Sequence, residues 1–230
     1  MRTLTLDIPH SVIKSLLLIA GDRDVRYYLN GICLDMRTPG RTHLIATDGH
    51  RALIVDAETM WATDDDGETM AAREEGAHYI IPRELLEAVK PIKGSLARKD
   101  SIRVTLSHTD GQPVNVSVAG MTTASGAVLD GKYPEIQRVV PDKCSGEAVQ
   151  YDPAYVADFG KVAGLLSGKG KSHYITVGYN GLAAALIGLP TLRRIEAFGL
   201  LMPTRTDLAL TAAPDWFRAP VDPVQTEEVA

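Results

Sequence analysis

The sequence has little cysteine. Its 230 residues contain two, Cys33 and Cys144, which lie far apart and belong to no CxxC or Cys/His grouping. Neither a disulfide framework nor a zinc site is therefore expected. The simplest interpretation is a protein of a reducing compartment, the cytoplasm.

Long apolar runs and an excess of basic charge are also missing. No apolar run approaches the roughly 18 residues of a membrane span, and the N-terminus MRTLTLDIPH has no apolar signal-peptide region. The net charge of −5 argues against a nucleic-acid-binding protein that is basic over its whole surface. It is compatible with a protein whose basic groups are gathered on one face. With 45% apolar residues, the chain can build a substantial core in one large domain or two small ones.

A pattern recurs along the chain: a strand-like stretch, a proline, then an apolar helical stretch. Its three occurrences contain Pro9, Pro82 and Pro153, which are 73 and 71 positions apart. Proline suits the first helical position, and strand-like runs follow each predicted helix. The steady period predicts an α+β fold with three copies of a unit made of a strand, a helix and an antiparallel meander. The copies occupy roughly 1–58, 78–130 and 146–205.

Three further segments have a different character. Residues 59–77 carry an acidic cluster and predict a solvated insertion, not a metal site. Residues 131–145 hold two prolines and predict a connector. Residues 206–230 contain Pro214, Pro220 and Pro223 and predict a disordered tail.

Basic residues accompany every predicted helix, whereas acidic residues concentrate in the insertion and the tail. Lysine is common on any solvated helix face, which is one interpretation. The other is a helix-lined surface that faces phosphates. The residues concerned are Lys14, Lys90, Lys93, Arg98, Lys99, Lys161, Lys169 and Lys171.

Four strings together resemble one family. They are DVRYYLNGICLD (24–35), IATDGHRAL (45–53), DGKYPEIQRVVP (130–141) and LLMPTR (200–205). They are similar to strings of the bacterial DNA polymerase III beta subunit, the replication sliding clamp, and occur in that family's order. The resemblance implies the DNA clamp fold, in which repeated half-domains form a ring with helices inside and sheets outside.

The resemblance also implies a domain organisation. Residues 1–141 resemble the clamp's middle domain, with halves 1–58 and 78–141 around the acidic insertion. Residues 142–205 resemble the second half of the last domain. The chain would hold three half-domains, and its unpaired half favours a homo-oligomer, a dimer or a tetramer.

The family is not enzymatic, and the resemblance implies no cofactor and no metal. It implies three kinds of partner: double-stranded DNA bound without sequence preference, peptides of a DNA polymerase, clamp loader or repair factor, and further copies of the chain. Peptides would dock in an apolar groove, where Ala52 and Thr204 replace larger apolar residues and predict a wider or more polar subsite. The groove positions are Leu29, Thr47, Gly49, His50, Arg51, Pro141, Leu200, Leu201, Met202, Pro203 and Arg205.

For DNA, the turn RDVRYY resembles a loop of the family that meets phosphates. It contributes Arg23, Arg26, Tyr27 and Tyr28, with Arg23 and Tyr28 favoured over Tyr27 because alternate strand residues face opposite sides. Lys14, Lys90, Lys93 and Lys161 would add positive charge. Such binding falls steeply with salt.

Two alternatives stay open. One is a clamp mimic that keeps the groove but forms no ring, and binds peptides to recruit or sequester replication proteins. The other is a hydrolase that uses Asp48 and His50, with or without a metal. The sequence offers no further carboxylate, nucleophile or third ligand at a recognisable spacing, which disfavours the hydrolase.

Overall fold

The computed structural model describes residues 2–62, 76–91, 100–109, 112–167, 174–190 and 195–205. The acidic residues of the predicted insertion, Lys93 and the predicted tail lie outside them. The helices and strands are β1 (Arg2–Pro9), α1 (His10–Ile19), β2 (Gly31–Asp35), β3 (His43–Thr47), β4 (Arg51–Asp56), β5 (His78–Pro82), α2 (Arg83–Glu87), β6 (Ser101–His108), β7 (Asn115–Ala119), β8 (Thr123–Ala127), α3 (Pro153–Ser167), β9 (Thr176–Gly178), β10 (Ala185–Gly188) and β11 (Ala197–Leu201).

The strands form two antiparallel sheets. One is four-stranded, in the order β1-β6-β7-β8, and the other is seven-stranded, in the order β5-β2-β3-β4-β11-β10-β9. The first two predicted units exchange their leading strands, since β1 pairs with β6 and β5 pairs with β2. Because each unit completes the other's sheet, residues 1–58 and 78–130 fold as one body.

Each helix begins at or directly after a proline, as the repeat predicts. The second helix is short and ends at Glu87. Pro91 disfavours a helical conformation at Lys90, whose carbonyl instead accepts a 2.8 Å hydrogen bond from the Met121 amide.

The third predicted unit differs from the other two. It contributes α3 and β9–β11, but within the described residues no strand precedes α3. The backbone there is used for isolated contacts: the Gly146 amide donates to the Tyr179 carbonyl at 2.9 Å, and the Thr204 amide donates to the Gln150 carbonyl at 2.9 Å. The described part of the chain therefore does not contain three complete copies of the unit.

Both faces of the seven-stranded sheet are covered. Alternate residues such as Leu44 and Leu53 pack with Val12 and Leu16 of α1 in the main core, as the two periodicities require. On the other face lies a second apolar group, here called the outer-face cluster. Its buried members are Leu29, Cys33, Ile45, Ala52, Ile54, Ile80, Tyr133, Ile136, Ala184 and Leu200.

Residues 129–141, here called the strap, cross the outer face of this sheet. Tyr133 is fully buried there, and its hydroxyl donates a 3.3 Å hydrogen bond to the Ile45 carbonyl. Arg37 donates to the carbonyls of Tyr133 and Pro134 and pairs at 2.7 Å with the buried Asp35 carboxylate. The predicted connector is thus a packed part of the fold.

The pairing of β4 with β11 joins the third unit to the first. Its register places Arg51 opposite Leu201, Ala52 opposite Leu200 and Ile54 opposite Phe198. The end of β11 therefore lies beside the turn that precedes β4. None of the helices in the described part of the chain has the length and hydrophobicity needed to cross a membrane.

Candidate functional site

The turn between β3 and β4 is held by its own side chains. The Asp48 carboxylate accepts hydrogen bonds from the amides of His50 and Arg51, at 2.9 and 3.1 Å. The Thr47 hydroxyl donates to the Arg51 carbonyl at 2.6 Å. Gly49 has a φ of 91°, a region that glycine enters at little cost. The Asp48 carboxylate therefore shapes a strand connection, which argues against the hydrolase alternative.

Arg51 connects three elements beneath this turn. Its guanidinium, on a side chain 9% exposed, pairs with Asp48 at 3.0 Å and with Asp158 of α3 at 2.7 Å. It also donates to the Leu18 carbonyl of α1 at 3.2 Å. Burial alone would raise the pKa of Asp158, but hydrogen bonds from Lys161 and Arg51 outweigh it and lower that pKa.

Tyr155 of α3 completes the group. The Arg51 guanidinium carbon lies 4.5 Å from the centre of the Tyr155 ring, a cation–π distance. His50 stacks on the same ring, with centres 5.9 Å apart. These residues border a polar pocket of about 440 Å³, at the C-terminal end of α1, which Asp24, Arg26 and Arg83 also line.

The predicted groove residues lie on both faces of the sheet. Thr47, Ala52 and Leu200 are directly paired across β3, β4 and β11 and form one row on the outer face. Each is 3% exposed. This row is closely packed. Strand alternation turns Leu201 into the main core, where it is 0% exposed.

The other groove positions surround the junction. Met202 is 38% exposed, and its amide donates a 2.9 Å hydrogen bond to the His50 carbonyl. Leu29 is buried in the outer-face cluster and Arg51 beneath the turn. Gly49, His50 and Arg205 are exposed, while Pro141 and Pro203 are half-buried.

An open apolar pocket lies one row away from the closely packed one, about 7 Å along the strands. Its floor is Ile45, Ile54 and Phe198, which are directly paired across the same three strands. This outer pocket measures about 300 Å³. The remaining lining residues are Ile136 and Val140 of the strap, with His43, Gln137 and Asp142 at the polar rim.

The predicted DNA loop is only partly available to a ligand. Tyr27 is 54% exposed, whereas Tyr28 is half-buried and packs against the outer-face cluster, which reverses the predicted preference. Arg23 is exposed with a φ of 55°. Arg26 is tied to Asp24 at 2.6 Å and to the Asp48 carbonyl at 2.8 Å. Its hydrogen bond lowers the pKa of Asp24 to about 2.

The described helices carry both signs of charge. Lys14 of α1 is exposed, as is Lys90 after α2, whereas Lys161 pairs with Asp158 at 2.7 Å. Glu84 and Glu87 lie on α2, where Arg83 turns inward to the carbonyls at the end of α1. The predicted basic surface is therefore mixed in charge where the structure describes it; Lys93, Arg98, Lys99, Lys169 and Lys171 lie outside that part.

Sequence reasoning missed Tyr155, Asp158 and Tyr133. The spacing of Tyr155 and Asp158, three positions apart in a predicted helix, places them on one face, but nothing in the sequence pairs them with Arg51. Tyr133 stands within one of the four family-like strings, but its burial depends on the path of the strap.

The fold is the DNA clamp fold, an α+β architecture of antiparallel sheets and helices, as comparison with solved structures shows. The structure of the DNA polymerase III subunit beta from Pseudomonas aeruginosa matches with a TM-score of 0.58 at 17% identity, over 88% of this chain and 67% of that one. The Helicobacter pylori beta clamp, solved with a DNA ligase peptide, matches with a TM-score of 0.56 at 12% identity, over 89% of this chain and 66% of that one.

In sequence, the chain is 28% identical over 120 residues to the beta sliding clamp of Pseudomonas aeruginosa. The aligned part is 52% of this chain and 28% of that clamp. No protein-family model matches the chain. The chain is a distant homologue of the bacterial beta sliding clamps. These are non-catalytic polymerase subunits, which supports the prediction that it is not an enzyme.

Proposed function

We propose that the protein is a sliding-clamp-like processivity factor of DNA replication in the cytoplasm, which self-associates around duplex DNA and docks peptides of replication or repair proteins. The observation that carries the proposal is the junction between β4 and β11. It joins two segments that are far apart in the sequence, the turn 47–51 and the segment 202–205, in one continuous sheet. The clamp comparisons supply the functional class.

The junction has the features of a peptide-docking site. The exposed thioether of Met202 offers an adaptable apolar contact. His50 and Tyr155 present stacked rings beside the polar pocket, and Arg26 adds a half-exposed guanidinium. Apolar contacts with a few placed polar groups are typical of peptide recognition. The Helicobacter pylori clamp of the same fold was solved with a DNA ligase peptide.

Self-association is proposed from the third unit. We assign 1–141 to a domain like the clamp's middle domain and 142–205 to a half-domain like the second half of the last one. This half-domain ends the seven-stranded sheet at the short strand β9, which has one strand neighbour among the described residues. A strand edge of this kind favours pairing with another chain, in a dimer or a tetramer.

The second candidate function is the clamp mimic without a ring. It is favoured by the mixed charge of the described helices, where Glu84, Glu87 and Asp158 accompany Lys14 and Lys161. Neutralising duplex phosphates needs an excess of positive charge on the facing surface. A mimic needs only the junction.

Size-exclusion chromatography with light scattering separates the two functions. The clamp proposal requires a dimer or tetramer at micromolar concentration, and a stable monomer contradicts it. A fluorescent peptide ending in a clamp-binding motif then tests the junction. Replacement of the exposed ring in His50→Ala should weaken its binding about tenfold, while Arg41→Ala, an exposed change in the loop before β3, should not.

A further inference from the structure

The outer pocket is an open apolar feature that the proposed function leaves unused. Ile45, Ile54 and Phe198 form its floor by direct cross-strand pairing, and Phe198 is half-buried. Its volume of about 300 Å³ is at the lower end of the range for ligand pockets, which suits one or two large side chains. It lies on the face opposite Arg51 and Tyr155.

The chain itself contains an apolar pair suited to this pocket. Of its two tryptophans, Trp61 is buried in the main core and Trp216 lies beyond the described residues, followed directly by Phe217. The surrounding sequence is Pro214-Asp215-Trp216-Phe217-Arg218. An aromatic side chain buries a large apolar area and loses little conformational entropy, so it makes an effective anchor.

The connecting chain is long enough to reach. Phe198 and Arg205 are seven positions apart, so their separation is at most about 25 Å. The eleven steps from Arg205 to Trp216 span up to about 36–40 Å. The length of the chain therefore allows Trp216 to reach the outer pocket of its own chain.

The charges also match. Asp142 lines the pocket and is exposed, and Arg138 and Lys143 are exposed on the neighbouring strap and beyond it. In the tail, Asp215 and Arg218 flank the aromatic pair. Arg218 is opposite in charge to Asp142, and Asp215 is opposite in charge to Arg138 and Lys143. We propose that Trp216 and Phe217 dock in the outer pocket of the same chain, with Arg218 facing Asp142. The docked tail thereby competes with apolar peptides of other proteins for this pocket.

The covalent link makes this docking effective even when the contact is weak. A short flexible linker gives an effective concentration on the order of millimolar, so an intrinsic affinity of about 100 µM leaves roughly nine in ten pockets occupied. The proposal requires neither DNA binding nor a ring, and it stands or falls separately from the proposed function.

Fluorine NMR of the full chain labelled with 5-fluorotryptophan tests the docking. Trp61 and Trp216 give one signal each. The signal that is lost in Trp216→Phe belongs to Trp216, and the Trp61 signal shows whether the core is intact. Docking shifts the Trp216 signal away from that of a free peptide of residues 211–220. Asp142→Lys and Arg218→Asp should each return it towards the free position, and the double variant should restore the shift. Glu84→Lys, an exposed charge reversal on α2, is the control.

Two results would overturn the proposal. One is a Trp216 signal that coincides with the free peptide and does not respond to Asp142→Lys. The other is a shift that disappears on hundredfold dilution, which would place the tail in the pocket of a second copy. A competition measurement is independent of the charge variants. The full-length variant Trp216→Ala/Phe217→Ala should bind the labelled peptide 211–220 about tenfold more tightly than the wild type, and equal binding contradicts self-occupation.

Discussion

The amide of Met202 donates a 2.9 Å hydrogen bond to the carbonyl oxygen of His50. This bond extends the ladder between β4 and β11 by one step beyond the pair Arg51–Leu201. It holds the backbone of the exposed Met202 next to that of His50, whose imidazole stacks on Tyr155. The geometry of the proposed docking site therefore depends on the junction, and the junction depends on how α3 packs beneath it.

The contact between Gly199 and Phe159 tests that packing. A Cβ atom added at Gly199 would lie 2.3 Å from the Phe159 ring, and both residues are buried. We expect Gly199→Ala to destabilise the protein by about 1–3 kcal/mol, because the ring has to move in a packed core. Gly160→Ala is the matched change on α3, where nothing lies within 4 Å of the added atom. It should stabilise by about 0.5–1 kcal/mol, since alanine favours a helix over glycine. Urea unfolding measures both, and equal effects would contradict the packing.

Arg51 should be the most costly arginine to remove near the junction. Arg51→Ala leaves the half-buried carboxylate of Asp48 without its guanidinium partner and that of Asp158 with Lys161 alone, and we expect a loss of about 2–4 kcal/mol. Arg41→Ala is the control, because that side chain is 60% exposed and lies 3.6 Å from Asp56. It should cost under about 0.5 kcal/mol. Denaturant midpoints measure both losses of stability. A small effect of Arg51→Ala would show that the ion pairs of Arg51 contribute little to the stability of the fold.

The strap should loosen in acid. Burial alone would raise the pKa of Asp35, but hydrogen bonds from Arg37 outweigh it and lower that pKa. Since the folded pKa is lower than the unfolded value of about 3.9, the ionised carboxylate stabilises the protein above that value. The contribution is lost as the pH falls below about 4 towards the folded pKa.

Asp35→Asn should therefore be less stable than the wild type at pH 7, by about 1–3 kcal/mol. The difference should shrink between pH 5 and pH 3, because the wild type loses the same ion pair on protonation. Urea titrations at several pH values measure it. A constant difference across this range would mean that the carboxylate charge is not what holds Arg37 and the strap.

Lys14 should contribute to DNA binding through charge alone. It is exposed on α1 and has no ion pair among the described contacts, whereas Lys161 is paired with Asp158. We expect Lys14→Ala to weaken binding to a 30-bp duplex and to reduce the slope of log K against log salt by about 1, independently of base sequence. Lys143→Ala, an exposed change outside the helices, should leave the slope unchanged. Equal slopes for the wild type and both variants would contradict the placement of the helices on the DNA-facing surface.

Much of the fold could be predicted from the sequence, and the failures have physical causes. Pro9, Pro82 and Pro153 predicted the helix starts, because proline's fixed φ and missing amide hydrogen suit that position. The local pattern predicted strand-like runs after each helix, but not which other strand each run meets. The exchange of β1 and β5 between units and the pairing of β4 with β11 join strands that are far apart in the sequence. Local sequence patterns do not indicate such pairings.

The candidate site was predicted less completely. The strings around His50 and Met202 predicted that these residues meet, through the family resemblance. The burial of Leu200 and Ala52 depends on Leu29 and on neighbouring strands, and the packing of Tyr28 depends on the outer-face cluster, so neither could be read from local sequence. Arg51 and Tyr155 meet because α1, β4 and α3 converge, which no single segment indicates.

Retention on circular DNA tests the central proposal most directly. The protein is loaded on a nicked circular plasmid, or assembled on it at high concentration, and then separated by gel filtration in moderate salt. A clamp that encloses the duplex stays with the closed circle and is lost when a restriction enzyme linearises it, because it slides off the ends. Equal retention before and after linearisation, or no retention on either form, would contradict the account.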